Sequence, residues 1–372
     1  TGNHDPALPL GLVKKNTHFL AADGSRVTRE DSCAGYVSQM ECYTDFGFFP
    51  RKDDCYWESP FTSYTYDKYA YEEACRESVL DKRTYTLCDS LTATDASYLV
   101  EPVDGLWLLA IDGGVYLPKE MKDGKWTYQG SSAGYNLVLK HKPFLLPWVR
   151  KVVEEARKRH KTLVAFSHYP LVDFNDGVSE SVHRMWGDRR FDLHRVPEAE
   201  VSEAFLQAGL RLHFAGHMHV NDTGIWEGKD GKHLYNIQVP SIATYVPAYK
   251  ILTIESDEAF RVETVTLDTV TGFDSLFPLY RAEYQSDSLR GHSPVWNKEI
   301  LSARTYGEFC DYQFRDLVRL RFIPRDLPES WRACLDFTGA RMLKAVSGED
   351  KANNVNWTGW GMTDMVLDVY RL

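Results

Sequence analysis

Three short segments, far apart in this sequence, each place histidine at a predicted turn. They read Asn3-His4-Asp5, Ser167-His168-Tyr169-Pro170 and Gly216-His217-Met218-His219. Neutral imidazole is a common ligand for first-row metals, and two histidines separated by one residue can reach one metal centre or two neighbouring centres. A single histidine of this kind is more often a hydrogen-bonded structural residue, so the prediction of a metal site depends on the combination.

Predicted strands lie directly before two of these turns. The apolar run at 162–166 leads to His168, and the run at 211–215 leads to His217. Both histidines therefore belong at the carboxyl end of a strand, which is the edge of an open α/β sheet where ligands bind. A further buried strand, "LWLLAI", is predicted at 106–111.

Two predicted helices alternate with these strands and indicate an α/β fold class. The segment 142–160 repeats apolar residues with helical spacing and ends in a basic turn. The segment 197–209 begins near Pro197 and stops at Gly209. The residues predicted to face the core are Leu145, Val149, Val152, Val153 and Ala156 in the first helix, and Val201, Ala204, Phe205 and Ala208 in the second.

The sequence texture divides the chain into four regions. Residues 1–30 carry the first histidine turn, and residues 31–104 are rich in Cys, Tyr and Asp, which is typical of an insertion. Regular α/β texture occupies 105–268, and 269–372 is predicted to form a C-terminal unit with a helix through 307–320. The α/β region closes with three strand-like runs, at 234–239, 249–254 and 260–267.

Composition and charge describe an ordered globular chain of 372 residues with 43% hydrophobic residues. The formal charge is 43 − 53 = −10, which argues against a broad basic surface for nucleic acid. An anionic substrate would therefore need local positive charge. No apolar run of the sequence approaches the roughly 20 residues that a transmembrane helix needs, so no transmembrane segment is predicted.

The seven cysteines are unevenly distributed along the chain. Five lie between Cys33 and Cys88, the other two are Cys310 and Cys334, and none forms a C-x-x-C pair. Disulfides in an extracytoplasmic protein, periplasmic or secreted, would explain the cluster, and this is the interpretation we favour. The alternative is a set of small buried thiols in a reducing cytoplasm.

The order of the motifs G-N-H-D at 2–5, S-H-x-P at 167–170 and G-H-x-H at 216–219 resembles the calcineurin-like metallophosphoesterase family. The resemblance covers about residues 1–20 and 105–268. It implies a sandwich of two sheets flanked by helices. It also implies two divalent or trivalent transition metal ions, Mn, Fe or Zn, which clamp the attacking and leaving oxygens of a phosphoryl displacement.

The resemblance also assigns roles to residues of this chain that match the family's motifs. The implied metal ligands are Asn3, His168 and His217 on one metal and His219 on the other. His4 would stabilise the transferring phosphoryl group and protonate the leaving oxygen, while Asp5 would orient the ring of His4. The implied nucleophile is a metal-bound hydroxide, which is available at neutral pH because the metal lowers the pKa of water.

The sequence departs from the family in its acidic motifs. D-x-H and G-D-x-x-D should both precede G-N-H-D, and nothing precedes it here. The bridging carboxylate of the second motif lets two cations lie close together. We therefore expect an N-terminal strand–helix–strand portion before Thr1 in the complete protein, and we expect the present chain to be inactive by itself.

The segment 187–194, "GDRRFDLH", superficially resembles the two acidic motifs. No apolar run leads into it and the spacing of its aspartates differs from the family's, so we predict a solvated loop near the mouth of the site. Three arginines, Arg184, Arg189 and Arg190, are candidates for contact with substrate phosphate, although a run of charges of this type is usually a solvated face.

The function that the sequence predicts is metal-dependent hydrolysis of a phosphoric ester. The substrate class stays open among phosphorylated small molecules, nucleotides, lipid headgroups and proteins, and between monoesters and diesters, because fold and motif do not fix the substrate. The alternative is a non-catalytic binding or scaffold protein on the same fold that lacks the acidic half of the metal site.

Overall fold

The architecture comes from a computed structural model. It describes residues 14–20, 25–33, 40–41, 43–88, 91–122, 125–128, 133–187, 192–256, 259–289, 291 and 296–326. Asn3, His4 and Asp5 lie outside the described residues, as do Arg189 and Arg190. The roles that the resemblance gives to Asn3, His4 and Asp5, and the phosphate contact considered for Arg189 and Arg190, therefore stay predictions.

Fifteen strands are present in the described part of the chain. In chain order they are β1 (Lys14–Leu20), β2 (Arg26–Cys33), β3 (Tyr56–Glu58), β4 (Thr84–Cys88), β5 (Leu91–Thr94), β6 (Tyr98–Val103), β7 (Leu106–Ala110), β8 (Pro118–Lys122), β9 (Lys125–Tyr128), β10 (Thr162–Ser167), β11 (Leu212–Ala215), β12 (Asp222–Glu227), β13 (His233–Gln238), β14 (Ala248–Ser256) and β15 (Ala259–Thr266).

Seven helices of α type accompany these strands in the same described residues. They are α1 (Tyr71–Glu77), α2 (Val138–His141), α3 (Leu145–Lys158), α4 (Ser179–Trp186), α5 (Ala199–Gln207), α6 (Phe277–Leu289) and α7 (Tyr306–Leu317). A π-helix, Val318–Asp326, continues directly from α7.

A seven-stranded mixed sheet forms the centre of the α/β region, in the order β12-β13-β11-β10-β7-β6-β3. The four strands β13, β11, β10 and β7 run parallel to one another, while β12, β6 and β3 each pair antiparallel with a neighbour. The other eight strands form four two-stranded sheets, which are β1-β2, β4-β5, β8-β9 and β14-β15. A large mixed sheet with helices confirms the α/β class.

Helix α3 covers the sheet with the face that the sequence predicts. Leu145, Val149 and Val152 are almost completely buried, and Val153 and Ala156 are buried beside them. Arg157 and Lys158 occupy the last turn, where positive charge interacts favourably with the unpaired carbonyls of a helix end. The predicted core positions of α5 behave alike, since Val201, Phe205 and Ala208 are buried and Ala204 is partly buried.

Gly209 holds the packing of α5 against α3. Its φ is +103°, and a Cβ at this position would lie 2.7 Å from Val153 Cγ1. Gly209→Ala is expected to lower the free energy of unfolding by about 2–5 kcal/mol, because it combines an unfavourable backbone conformation with overpacking. Urea unfolding followed by circular dichroism measures the loss.

Gly231→Ala is the matched control for this prediction. Gly231 also has a positive φ, +73°, but a Cβ there would meet no atom within 4 Å. The control should therefore lose only the backbone contribution, roughly 1–2 kcal/mol. Equal losses in the two variants would show that contact with Val153 does not matter.

The region predicted as an insertion, 31–104, contributes two strands to the central sheet. β6 pairs with β7 across the predicted boundary, and β3 forms the edge beyond β6. The sheet therefore crosses that boundary in space, while the division into domains stays a prediction.

The thiols of Cys55, Cys75, Cys88 and Cys310 are free, so no disulfide joins these four described side chains.

The C-terminal unit begins after β15. Phe277, Ile300 and Phe309 are buried in its core, and α7 starts with a cap in which the Thr305 side chain accepts a hydrogen bond from the backbone of Glu308.

Within the described residues, no helix is long and apolar enough to cross a membrane.

Candidate functional site

Two of the predicted histidine turns meet at the carboxyl edge of the central sheet. β10 and β11 are parallel neighbours, and their last residues, Ser167 and Ala215, lie opposite each other. Both strands therefore end at the same level of the sheet. The two turns are joined by a hydrogen bond, which the Gly216 amide donates to the His168 carbonyl at 3.1 Å. This register brings together two turns that are 49 residues apart in the sequence.

The side chains of His168 and His217 face each other closely. His217 Nδ1 lies 2.9 Å from His168 Nε2, and the ring centroids are 4.9 Å apart. Two nitrogens that each lie about 2.1 Å from one metal ion, at roughly a right angle, would be about 3 Å apart. The observed spacing of the two imidazoles therefore fits a pair of ligands on a single ion.

Left-handed backbone is concentrated around these histidines. Five described residues other than glycine have a positive φ, and three of them are Asp192 (57°), His217 (51°) and His219 (57°). Such residues cost about 1–3 kcal/mol each and are found more often at functional sites, where the surrounding structure holds them. In the G-H-x-H turn, the Met218 amide donates a hydrogen bond to the Gly216 carbonyl at 2.6 Å. His217 lies inside the tight bend that this bond closes.

Asp192 and Arg195 complete the described cluster. Arg195 Nη1 hydrogen-bonds Asp192 Oδ1 and lies 3.1 Å from His217 Nε2. Asp192 Oδ2 is 3.6 Å from the same nitrogen of His217. The segment 187–194 was predicted to be a solvated loop, but its described end is part of the site.

The partners of His217 Nε2 bear on which ring nitrogen can bind a metal. Arginine can only donate, so in this geometry Nε2 accepts from Arg195 and Nδ1 carries the proton that faces His168. Binding a metal through Nδ1 requires the other tautomer, in which Nε2–H donates. Asp192 Oδ2 is the nearby oxygen that would accept this hydrogen bond. Histidine ligands of metals commonly donate their other N–H to a carboxylate in this way.

Burial and charge set the protonation of two members of the cluster. Burial lowers the pKa of His168 to about 3, and the charges of His217, His219 and Arg195 act in the same direction. The neutral ring is the form that binds metals. Burial alone would raise the pKa of Asp192, but the adjacent His217 ring and the charge of Arg195 lower it to about 2.

A buried network beneath the turns supports the backbone around His168. His213 on β11 is completely buried, with Nδ1 at 2.8 Å from Asn236 Oδ1 and Nε2 at 2.9 Å from Ser167 Oγ. Asn236 Oδ1 also accepts from the Leu171 amide at 2.9 Å, so it is fixed as the acceptor and His213 donates through Nδ1. The network joins β10, β11 and β13 directly under the turn.

The other predicted residues lie apart from this pair or are more exposed. His219 is exposed. Arg184 is also exposed, with Glu180 at 3.7 Å as its ion-pair partner, which agrees with the solvated-face interpretation. Among the described residues, no group of three or more His, Cys, Asp or Glu side chains is arranged to hold a metal ion. The described site is thus a pair of imidazoles with an adjoining Asp–Arg pair.

Three of the residues in this cluster were not identified from the sequence. Arg195 and His213 follow no motif, and Asp192 was assigned to solvent because no strand leads into its segment. The one available signal was the alternation around His213 in "RLHFA", which places a histidine among core-facing positions. Neither a known family model nor a curated protein matches the chain, so these two comparisons assign no role to the site.

Proposed function

We propose that this chain carries part of the active site of a metal-dependent phosphoric ester hydrolase of the calcineurin-like type. The observation that carries the proposal is the 2.9 Å approach of His168 Nε2 and His217 Nδ1 at the carboxyl edge of two parallel strands. The motif order at 2–5, 167–170 and 216–219 supports it. A two-sheet sandwich with β14-β15 as part of the second sheet is the corresponding proposal for the fold.

The residues have distinct roles in this proposal. His168 and His217 hold one metal through the nitrogens that now face each other, with Asn3 as the third ligand, and His219 serves the second metal. Asp192 orients His217 by accepting from its other nitrogen. The metals, when bound, supply Lewis-acid stabilisation of the phosphoryl oxygens and a nucleophile at neutral pH.

Arg195 is the proposed cationic contact for an anionic ester in a chain of net charge −10, and its ion pair with Asp192 offsets part of its charge. Its side chain is 7% exposed, so its charge is screened less by salt than that of a surface arginine. His4 is the proposed proton donor to the leaving oxygen, and Asp5 is the group that orients it.

A non-catalytic binding protein on the same fold is the second candidate. The described residues favour this candidate because they supply two imidazoles as metal ligands but no carboxylate placed to bridge two metals. Two close cations need such a carboxylate to offset their repulsion. The two candidates differ in turnover, and both retain the ability to bind one metal ion.

The test is metal removal from the complete protein, followed by assays with p-nitrophenyl phosphate and bis(p-nitrophenyl) phosphate. Chelation with EDTA should abolish hydrolysis of at least one ester, and Mn²⁺, Fe²⁺ or Zn²⁺ should restore it. Metal binding without hydrolysis of either ester would support the binding protein. Hydrolysis that survives complete chelation would contradict both candidates.

A further inference from the structure

A cavity of about 480 Å³ lies in the C-terminal unit, far along the chain from the histidine turns. It opens between α6, α7 and the loop that follows β13. Its size falls within the range of roughly 300–1,000 Å³ that small-molecule sites occupy. None of the described residues assigned to the proposed metal site lines it.

Aromatic rings make up much of the cavity wall. Tyr280, Trp296, Phe309 and Phe314 all line it. Three of these rings are held by a second ring outside the cavity: Trp296 by Tyr284 at 5.1 Å, Phe309 by Phe277 at 5.5 Å and Phe314 by Tyr245 at 6.5 Å. The faces of aromatic rings carry partial negative charge and attract cations. Because these rings are already fixed in place, they would not have to reorganise when a cation binds.

One carboxylate at the cavity lacks a partner among the described residues. Glu283 on α6 lines the cavity and makes no hydrogen bond or ion pair with any described residue. Burial and the nearby charge of Asp287 raise its pKa. The other carboxylate of the lining, Asp316, differs because it pairs with Arg319 at 2.8 Å and accepts from the Asn297 amide.

A hydroxyl group in the lining also has no partner in the part of the chain that the structure describes. Thr244 lies in the loop after β13, and its Oγ1 is buried with no hydrogen bond to any described residue. A buried hydroxyl in this state has lost its bonds to water without replacement, which costs about 1–3 kcal/mol. A ligand with a polar group next to its cationic head could hydrogen-bond it.

We propose that this cavity binds a small organic cation, an alkylammonium with an apolar body and a hydroxyl or ether oxygen. Glu283 supplies the countercharge, and the rings of Trp296, Tyr280 and Phe314 supply cation–π contacts. A bare metal cation fits less well, because hard cations take six or more oxygen ligands and this lining is mostly carbon. This site is independent of the proposed phosphoesterase function.

The experiment is isothermal titration of the chain with choline, and in parallel with 3,3-dimethylbutan-1-ol, its uncharged carbon isostere. Choline should bind at least about tenfold more tightly than the isostere, the ratio that a desolvated cation–π contact with a countercharge provides. Equal affinity for the two would show an apolar cavity with no preference for charge. No detectable binding of choline at millimolar concentration would also overturn the proposal.

Glu283→Gln and Glu263→Gln are the matched variants for this titration. The first removes the countercharge and should weaken choline binding about tenfold, with little effect on the isostere. The second removes an exposed carboxylate on β15 and should change neither affinity. Undiminished choline binding in Glu283→Gln, with circular dichroism unchanged, would show that Glu283 is not the countercharge.

Discussion

His217→Ala is expected to lower phosphoester hydrolysis by the complete protein at least about a hundredfold. Even the outer partners of metal ligands contribute about 10- to 100-fold to affinity or activity, and a ligand contributes more. The side chain of His217 is 5% exposed, and its ring contacts both His168 and Arg195. Metal titration and steady-state hydrolysis measure the two losses separately.

Two further variants decide how this loss arises. Asp192→Asn keeps the shape of the side chain but removes the charge that favours the metal-binding tautomer of His217, and about a 10- to 100-fold weaker metal affinity is expected. His183→Ala changes an exposed histidine on α4 and should leave affinity and turnover unchanged. Undiminished hydrolysis in His217→Ala would refute the assignment of the site.

Lys142→Met is expected to lower the free energy of unfolding by about 3–5 kcal/mol, the usual cost of leaving a buried charge without its partner. Lys142 Nζ lies 2.8 Å from Asp95 Oδ2 and 2.9 Å from Asp112 Oδ2, and all three side chains are at most 3% exposed. It also donates to the Asp112 carbonyl at 2.8 Å. Urea unfolding at constant pH measures the difference.

The same cluster predicts how pH affects the variant. Burial opposes the charge of Lys142, but Asp112 and Asp95 outweigh it and raise its pKa. The lysine's contribution is therefore complete below its unfolded pKa of about 10.4, and is lost only as pH rises through the higher folded value. Both pH 5 and pH 8 lie below that unfolded value, so the destabilisation in Lys142→Met should be about the same at these two pH values and should decrease only above about pH 10.

Lys140→Met and Lys142→Met/Asp95→Asn are the controls for this cluster. Lys140 lies in the short helix α2, which Lys142 directly follows. Lys140 is exposed, and its replacement should cost less than about 0.5 kcal/mol. The double variant removes one of the two facing charges and should recover part of the lost stability. A cost below about 1 kcal/mol for Lys142→Met would mean that the aspartates find other partners.

The sequence determined the elements that position the site. Apolar runs bounded by turns predicted β7, β10 and β11, and helical spacing predicted α3 and α5, because these patterns depend only on neighbours along the chain. The carboxyl-edge rule also places His168 and His217 on one side of the sheet once both strands are parallel. Motif order could therefore indicate a metal site before any contact was known.

The tertiary structure alone decided which side chains meet. Nothing near Asp192 or Arg195 in the sequence marks them, since their proximity to His217 depends on where residues 192–195 lie relative to the edge of the sheet. The Lys142 cluster joins residues 30 and 47 positions apart in the same way. Spacing along the chain reports local periodicity, whereas contacts between distant residues follow from the packing of whole elements, which no single segment encodes.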